Sequence, residues 1–393
     1  MIAIPEWLEF ILRWVHVITA IAWIGSSFFF VWLDLSLRRE PKTPDHAMGD
    51  VWLVHGGGFY LSRKFFNPPD DMSSTFHWLK YESYFTWISG FALLAILYYW
   101  GAENYLIDPE IADLTPMQAI LWSMGVLFGG YIAYDLMCRS TIGKNTIVLA
   151  LALLVMITLV SALLLELFAA RAAFLHAGAF VATIMTGNVF FIIIPNQKKI
   201  VAALKTDAEP DPHWGKQAKQ RSTHNNYLTL PVIALMISNH YPILYGGSAG
   251  YVVVALIVIM GAAIRHYYNL KHTGASQRQL MWQWPAAGFL LVMTIVFAHI
   301  QSGDAGRVEG PISTAQVLAL SQKHCVSCHA AVPSDTTYSA APGGIILEDE
   351  SEIERHAAKI YQQVVTGRIM PLGNTTAMSA LERAQIAKWY QDQ

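Results

Sequence analysis

The sequence predicts an all-α protein: an eight-transmembrane-helix bundle followed by a small soluble helical domain. Three observations predict it. First, 54% of the 393 residues are hydrophobic and only 14% are charged, against about 25% charged in an ordinary soluble domain. Second, residues 14–33, 83–102, 114–134, 145–165, 172–197 and 279–303 contain no Asp, Glu, Lys or Arg, and the charge-free window 222–264 is long enough for two helices. A spanning helix needs about 20 mostly apolar residues. Third, composition turns abruptly polar after Gln301. Domains of 1–301 (membrane) and 313–393 (soluble), joined by a linker over 302–312, follow. The formal net charge of −2 leaves no basic excess to hold nucleic acid, and three cysteines are too few for a disulfide scaffold.

The first span is too long, and lacks the small-x-small site, to be a cleaved signal peptide. The loop after it, about Asp34 to His77, is long and holds Val51–His55 and Phe59–Leu61 around Gly56-Gly57-Gly58. Two β-prone runs about glycines predict a hairpin or re-entrant element. With Arg63 and Lys64 beside it, the loop reads either as a lid with anion-binding groups or as an interfacial anchor. No P-loop Lys-Ser/Thr follows the glycines. Tyr241-Pro242 and Gly246-Gly247 mark the turn between the two helices of window 222–264. The odd-numbered loops carry nearly all the loop cations (Arg38, Arg39, Lys42, Arg63, Lys64 and Lys80; Arg139 and Lys144; Lys198, Lys199, Lys205, Lys216, Lys219 and Arg221; Lys271 and Arg278), whereas the loops opposite carry Arg171 alone. The odd loops are therefore expected in the cytoplasm and both termini outside, the periplasm of a bacterium.

In the tail, Cys325-Val326-Ser327-Cys328-His329 has the spacing of a covalent haem c attachment motif. Both sulfurs reach the porphyrin vinyl carbons from one helical turn, and His329 sits under the iron. A thioredoxin-like redox pair and half a zinc site are the competing readings, but there is no second Cys pair and no βαβ pattern. Met370, on a loop stiffened by Pro371 after a helix near 350–366, is the expected second axial ligand; Met378 is the alternative. Met378 precedes a helix opened by a Ser379/Glu382 capping box. Ile386 and Trp389 on that helix read as core. The tail resembles a small class I-like cytochrome c domain of the Met-His kind, carrying one haem c. Such haems are attached outside the bacterial cytoplasm, where the charge count places the tail.

Ionisable residues inside spans are costly and usually functional. His16, His176, His240 and His299 fall in the outer half of the predicted bundle, and His266 lies at an inner end beside Arg265. Each reads either as a ligand or as a hydrogen-bonded interfacial histidine. A membrane haem b on His16 and His176 is the second expected cofactor, with His240 and His299 behind them as ligands. Arg13-Trp14-Val15-His16 and Ala22-Trp23-Ile24-Gly25 resemble the first helix of membrane protoporphyrinogen oxidases and copper-resistance-type proteins. Arg13 (one turn from His16), Glu82 and Arg265 are the candidate catalytic residues; helix pairing or snorkelling is the alternative for each. Asp135, Asn188, His224-Asn225-Asn226-Tyr227 and Ser238-Asn239 are further polar groups in or beside spans. They read as interhelical glue or as recognition groups for a flat, N–H- and C=O-rich heterocycle.

Three stretches, Arg13–Leu33, His224–Pro242 and Cys325–His329 with Met370, make the chain resemble the bacterial membrane-bound urate oxidases (urate hydroxylases) along its whole length. The resemblance implies an eight-helix membrane domain fused to a cytochrome c, in the bacterial inner membrane. It implies oxidation of urate to 5-hydroxyisourate, with electrons leaving through the haem to a downstream cytochrome c or terminal oxidase and no peroxide formed. The competing function is a membrane-tethered electron carrier of a respiratory complex with no substrate of its own. A transporter with a redox gate lacks an internal inverted repeat.

Overall fold

The computed structural model describes residues 4–65, 76–206, 208–247, 249–299 and 308–393, with side chains from residue 7. Residues 302–307 of the expected linker lie outside the described residues. The chain is 70% helix and 5% strand. Among the described residues, six helices are long and apolar enough to cross a membrane: Trp7–Ser36, Pro116–Arg139, Thr146–Leu167, Ala170–Lys205, Gly250–His272 and Gln277–Ala298. The other two windows are also helical, but Tyr81–Tyr99 is diluted by Tyr, Ser and Thr, and Lys216, Lys219 and Arg221 fall in the first half of Pro212–Ile237.

Local chemistry sets these elements. Helix α1 (Ile4–Ser36) runs without a proline beyond its first turn. Strands β1 (Ala47–His55) and β2 (Gly58–Phe65) form the expected hairpin. Its turn needs Gly56 and Gly57, which sit at φ +56° and +79°, the left-handed pair of a tight hairpin loop. Arg63 clamps its base by donating from Nε and Nη2 to Asp50 at 2.7 and 2.8 Å. Those bonds hold the Asp50 carboxyl below its usual range. Helix α2 (Tyr81–Leu94) continues through a π-helical turn, Ala95–Tyr99, to the short α3 (Ala102–Tyr105). A Thr115/Gln118 capping box with Pro116 starts α4 (Pro116–Met124), which passes through the π turn Gly125–Gly129 into α5 (Gly130–Arg139). Asn145 caps α6 (Thr146–Leu167) by accepting from two backbone N–H groups. Then follow α7 (Ala170–Gly187), the π turn Asn188–Ile193, α8 (Ile194–Lys205), α9 (Pro212–Ile237) and α10 (Gly250–His272). Short α11 (Gln277–Leu280) and α12 (Gln283–Ala298) complete this part.

The chain packs as two compact units. One contains the described residues of Met1–Leu93, Val181–Val232 and Val258–Leu290. Within it, α9 and α10 meet where Pro231 faces Gly261; a Cβ at Gly261 would lie 2.6 Å from Pro231 Cδ, so only glycine fits. The other contains Leu94–Phe180, Ile233–Ile257 and the described residues of Leu291–Gln393. Here the tail lies against the 101–108 segment that contains α3. Asn374 donates to Asp108 Oδ1 at 3.2 Å, and a Cβ at Gly373 would collide with the Glu103 carbonyl.

The tail has α13 (Thr314–His324), α14 (Glu350–Arg355), α15 (Ala357–Ile360) with a π turn to Thr366, and α16 (Ala380–Gln391). Its core joins Val317 of α13 to Ile353, Ile360, Val364, Met378, Ile386 and Trp389, so Ile386 and Trp389 pack as expected. The Ser379/Glu382 capping box forms as the sequence predicts.

Candidate functional site

The tail motif closes on one turn. Cys328 and His329 donate their backbone N–H groups to the Cys325 carbonyl at 3.1 and 2.8 Å. The His329 ring is held at Nδ1 by the Ile345 carbonyl, 3.0 Å away. Nδ1–H must be the donor there, which leaves Nε2 as a lone pair. That is how a protein orients an imidazole for a metal. Burial pushes the Cys325 thiol up to about 11. A thioether to a porphyrin vinyl carbon would carry no charge in this buried place. These residues fit a covalently held haem.

Both candidate methionines stand near the motif's core. Met370 is half-buried against the tail core, and its carbonyl accepts from Arg383 Nη1 at 2.7 Å. Met378 is fully buried inside that core. His324 beside the motif is no ligand candidate. Its nitrogens are spent on Thr376 Oγ1 at 2.7 Å and Glu382 Oε1 at 3.2 Å. Burial opposes ionisation of Glu382, yet hydrogen bonds from Lys323, Ser379 and His324 prevail and bring its carboxyl down to about 2.

A second concentration of polar groups lies in the first unit, buried among apolar helices. Asn188 opens a π turn and donates to Asn225 Oδ1 at 2.9 Å; Asn225 donates to the Met185 carbonyl at 2.9 Å. Next along α9, Asn226 Oδ1 accepts from Arg265 Nε at 2.8 Å and also from its Nη2. The Arg265 guanidinium lies 4.3 Å over the Phe28 ring and is 6% exposed. His266 shares a 2.8 Å hydrogen bond between Nδ1 and the Tyr227 hydroxyl. Thr186 Oγ1, Asn269 Oδ1 and Gln283 Oε1 are buried with no hydrogen-bond partner among the described residues. Asn269 stands one turn beyond Arg265 on α10. Arg221, one turn before Asn225 and 2% exposed, was counted from sequence only as a loop cation. Its spacing to the His224–Tyr227 run is the signal that marks it.

The structure brings Arg265 into this cluster but gives the other two catalytic candidates different surroundings. Arg13 is exposed and pairs with Glu9 on its own helix. Glu82 stands half-buried in the first turn of α2. That helix is tied to α7 and its π turn by Trp87 Nε1 donating to Thr183 Oγ1 at 3.1 Å and by Tyr84 against Phe190.

The two candidate membrane-haem histidines share one design, each within its own unit. His16 contacts the Thr86 carbonyl at 2.9 Å and Ser89 Oγ at 3.2 Å through Nδ1, and its ring lies so close to Gly90 that a Cβ there would be 2.7 Å from Cε1. His176 is fully buried, donates from Nδ1 to the Ala172 carbonyl at 2.8 Å, and leaves Nε2 without a partner among the described residues. Both donor sets fit an axial ligand. His240 is exposed, and His299 is exposed with Nδ1 on the Ile295 carbonyl. Among the described residues, no group of three or more His, Cys, Asp or Glu gathers to hold a bare metal ion.

Residues 2–299 match the family model described as urate oxidase N-terminal. No curated protein and no solved structure matches the chain. With three-quarters of its length inside that match, beginning before His16 and ending after the Asn–Arg cluster, the chain belongs to the urate oxidase N-terminal family.

Proposed function

We propose that this protein oxidises urate to 5-hydroxyisourate in the bacterial inner membrane and sends the electrons through a haem c on Cys325, Cys328 and His329 to the respiratory chain. In this reading α2 and α9 complete an eight-helix bundle, and the tail, a cytochrome c domain, lies in the periplasm with both termini. The observation that carries it is the His329 geometry. It supports the reading because an imidazole fixed at Nδ1 stands beside two thiols with the spacing of a haem attachment motif, in a chain of this family. Haem c would supply a one-electron acceptor when bound, and His329 and Met370 are the residues that would hold its iron.

The overall chemistry balances as urate plus water giving 5-hydroxyisourate, two protons and two electrons. Urate is a monoanion near neutral pH. Arg265, buried and anchored by Asn226, is placed to hold that charge where water competes little. The unsatisfied oxygens of Asn269 and Gln283 ask for N–H donors, which a purine-dione ring has. His266, held at Nδ1 by the Tyr227 hydroxyl, would present Nε2 as a proton acceptor in the tautomer whose Nδ1–H donates to that hydroxyl; Glu82 is the second candidate base. The partnerless Nε2 of His176 supports a membrane redox group such as haem b; within the other unit, His16 is likewise held at Nδ1.

The test is anaerobic. Purified protein should bleach urate absorbance while its own haem and added cytochrome c are reduced, with no peroxide. Peroxide formed in step with urate loss, or a haem that stays oxidised while urate disappears, refutes the electron route. A haem that no substrate reduces would favour the tethered electron carrier.

A further inference from the structure

We propose that Asp108, which lies outside the tail, is a positioning residue for Met370: through Asn374 and Arg383 it fixes the loop that carries this methionine. The inference rests on the proposed function, in which Met370 is the second axial ligand, and adds that the bundle helps to set that ligand. All of its contacts lie within one compact unit of the fold.

The hydrogen bonds run unbroken through buried residues. Arg383, on α16 and 6% exposed, donates from Nη1 to the Val364 and Met370 carbonyls at 2.7 Å each. Its Nη2 donates to Asn374 Oδ1 at 3.3 Å. That oxygen also accepts from the Met378 backbone N–H at 2.9 Å. Asn374 Nδ2 donates to the Met378 carbonyl at 3.3 Å and to Asp108 Oδ1 at 3.2 Å. Both donors and both acceptor positions of the Asn374 amide are thus filled. Turning the amide over would set its oxygen against the Asp108 carboxylate, so its orientation is fixed. Asp108 is buried, and its Oδ1 is held in turn by the Glu110 backbone N–H, 3.0 Å away. The Met370 N–H donates to the Gln363 carbonyl at 3.1 Å, so both backbone groups of this residue are paired.

The same loop is held at both ends. Gly367 and Gly373 stand three residues to either side of Met370. A Cβ at Gly367 would lie 2.8 Å from Pro242 Cβ, and one at Gly373 would lie 2.2 Å from the Glu103 carbonyl oxygen. A Cβ at Gly246 would likewise collide with the Thr366 carbonyl. Segments 101–108 and 242–246 therefore limit where the loop can go, and the Asp108–Asn374–Arg383 chain fixes the carbonyl of the methionine itself. Without the Asp108 oxygen, one buried N–H of Asn374 loses its acceptor, and the amide and its loop turn to find another. An axial methionine raises the potential of a haem, so a loop set from the bundle tunes the haem in the tail.

The experiment uses full-length protein carrying its haem. Asp108→Leu removes the acceptor while leaving the apolar core of the tail untouched. It should weaken the near-infrared band that a methionine sulfur gives on ferric iron, and it should lower the haem midpoint potential. Each tenfold lost in the preference of the sulfur for ferrous over ferric iron is about 59 mV for one electron. Asp108→Asn keeps an acceptor oxygen and should keep both readouts. Asn374→Asp sets a second carboxylate against Asp108 and should match Asp108→Leu, which keeps the result interpretable if the leucine variant fails to fold. Unfolding in denaturant, followed at the haem Soret band, is measured alongside. Wild-type band and potential in Asp108→Leu and Asn374→Asp overturn the inference and leave the haem c reading standing. Lowered stability with band and potential unchanged makes the chain structural and also overturns it. A band that survives in Met370→Ala overturns the ligand assignment and the inference together, and a protein that binds no covalent haem overturns the parent reading with them.

Discussion

Replacing Arg265 by methionine tests the proposed anion site most directly. The guanidinium is 6% exposed, gives two N–H groups to Asn226 Oδ1 and lies 4.3 Å over Phe28. Methionine conserves much of the packing but removes the charge and both donors. A hydrogen bond to a charged group contributes about 1.5–3 kcal/mol, and a desolvated cation–π contact up to about 2 kcal/mol. The fold loses the Asn226 bonds and gains an unsatisfied amide oxygen, a cost of about 1–3 kcal/mol. Urate loses its counter-charge, which lowers kcat/KM by about 10- to 150-fold at the same 1.5–3 kcal/mol. Arg265→Lys should fall between, because an ammonium keeps the charge but not the planar fork. The assay is urate bleaching at several substrate concentrations, with melting temperature measured alongside. A folded Arg265→Met protein with wild-type kcat/KM would refute the assignment, since no other effect of the change restores a lost counter-ion.

Three further outcomes are expected. Met370→Ala should lower the haem potential and change the haem spectrum with little loss of stability, whereas Met378→Ala should cost about 2–5 kcal/mol by opening a cavity in the tail core; redox titration and denaturant melts separate the two, and the reverse pattern would reassign the ligand. Glu382 binds protons less readily when folded, with its carboxyl near 2 against an unfolded value near 4.3, so the unfolded chain takes up more protons across that window; tail stability should be complete above about pH 4.5 and fall as pH drops toward 2, and Glu382→Gln should remove that dependence in acid titrations followed by circular dichroism. A pyridine haemochrome of the whole protein should show b and c haems together, with His176→Ala removing only the b signal; a lone c signal in wild type would end the membrane-haem proposal.

Sequence patterning disclosed most of the elements because their physics is local. Charge-free windows and caps are one-dimensional signals, as with the Ser379/Glu382 box, which formed between residues three apart. The hairpin was legible for the same reason: two apolar runs needed a turn with positive φ at both central residues, and only glycines stood there. The strength of two spans was less legible. Absence of charge does not measure apolarity, and α2 passes the first criterion while its Tyr, Ser and Thr residues dilute the second.

The candidate site was half visible. His224–Tyr227 and Arg265-His266 stood out as polar residues in or beside apolar windows, but nothing in one dimension shows that residues 39 apart meet through an Asn–Arg fork. Arg13 and Arg265 looked alike in sequence, each beside a membrane histidine. They differ in what surrounds them: Arg13 lies on a water- or lipid-facing side of α1 with Glu9 within one turn, while Arg265 has no carboxylate neighbour on its own helix and must find a partner across the interior. A buried cation that, among the described residues, is hydrogen-bonded to a neutral amide and to no carboxylate retains most of its field, because Asn226 satisfies donors without cancelling charge. That residual positive potential, with the unsatisfied Asn269 oxygen one turn further along α10, is why we propose an anionic, N–H-rich ring beside Arg265 rather than beside Arg13.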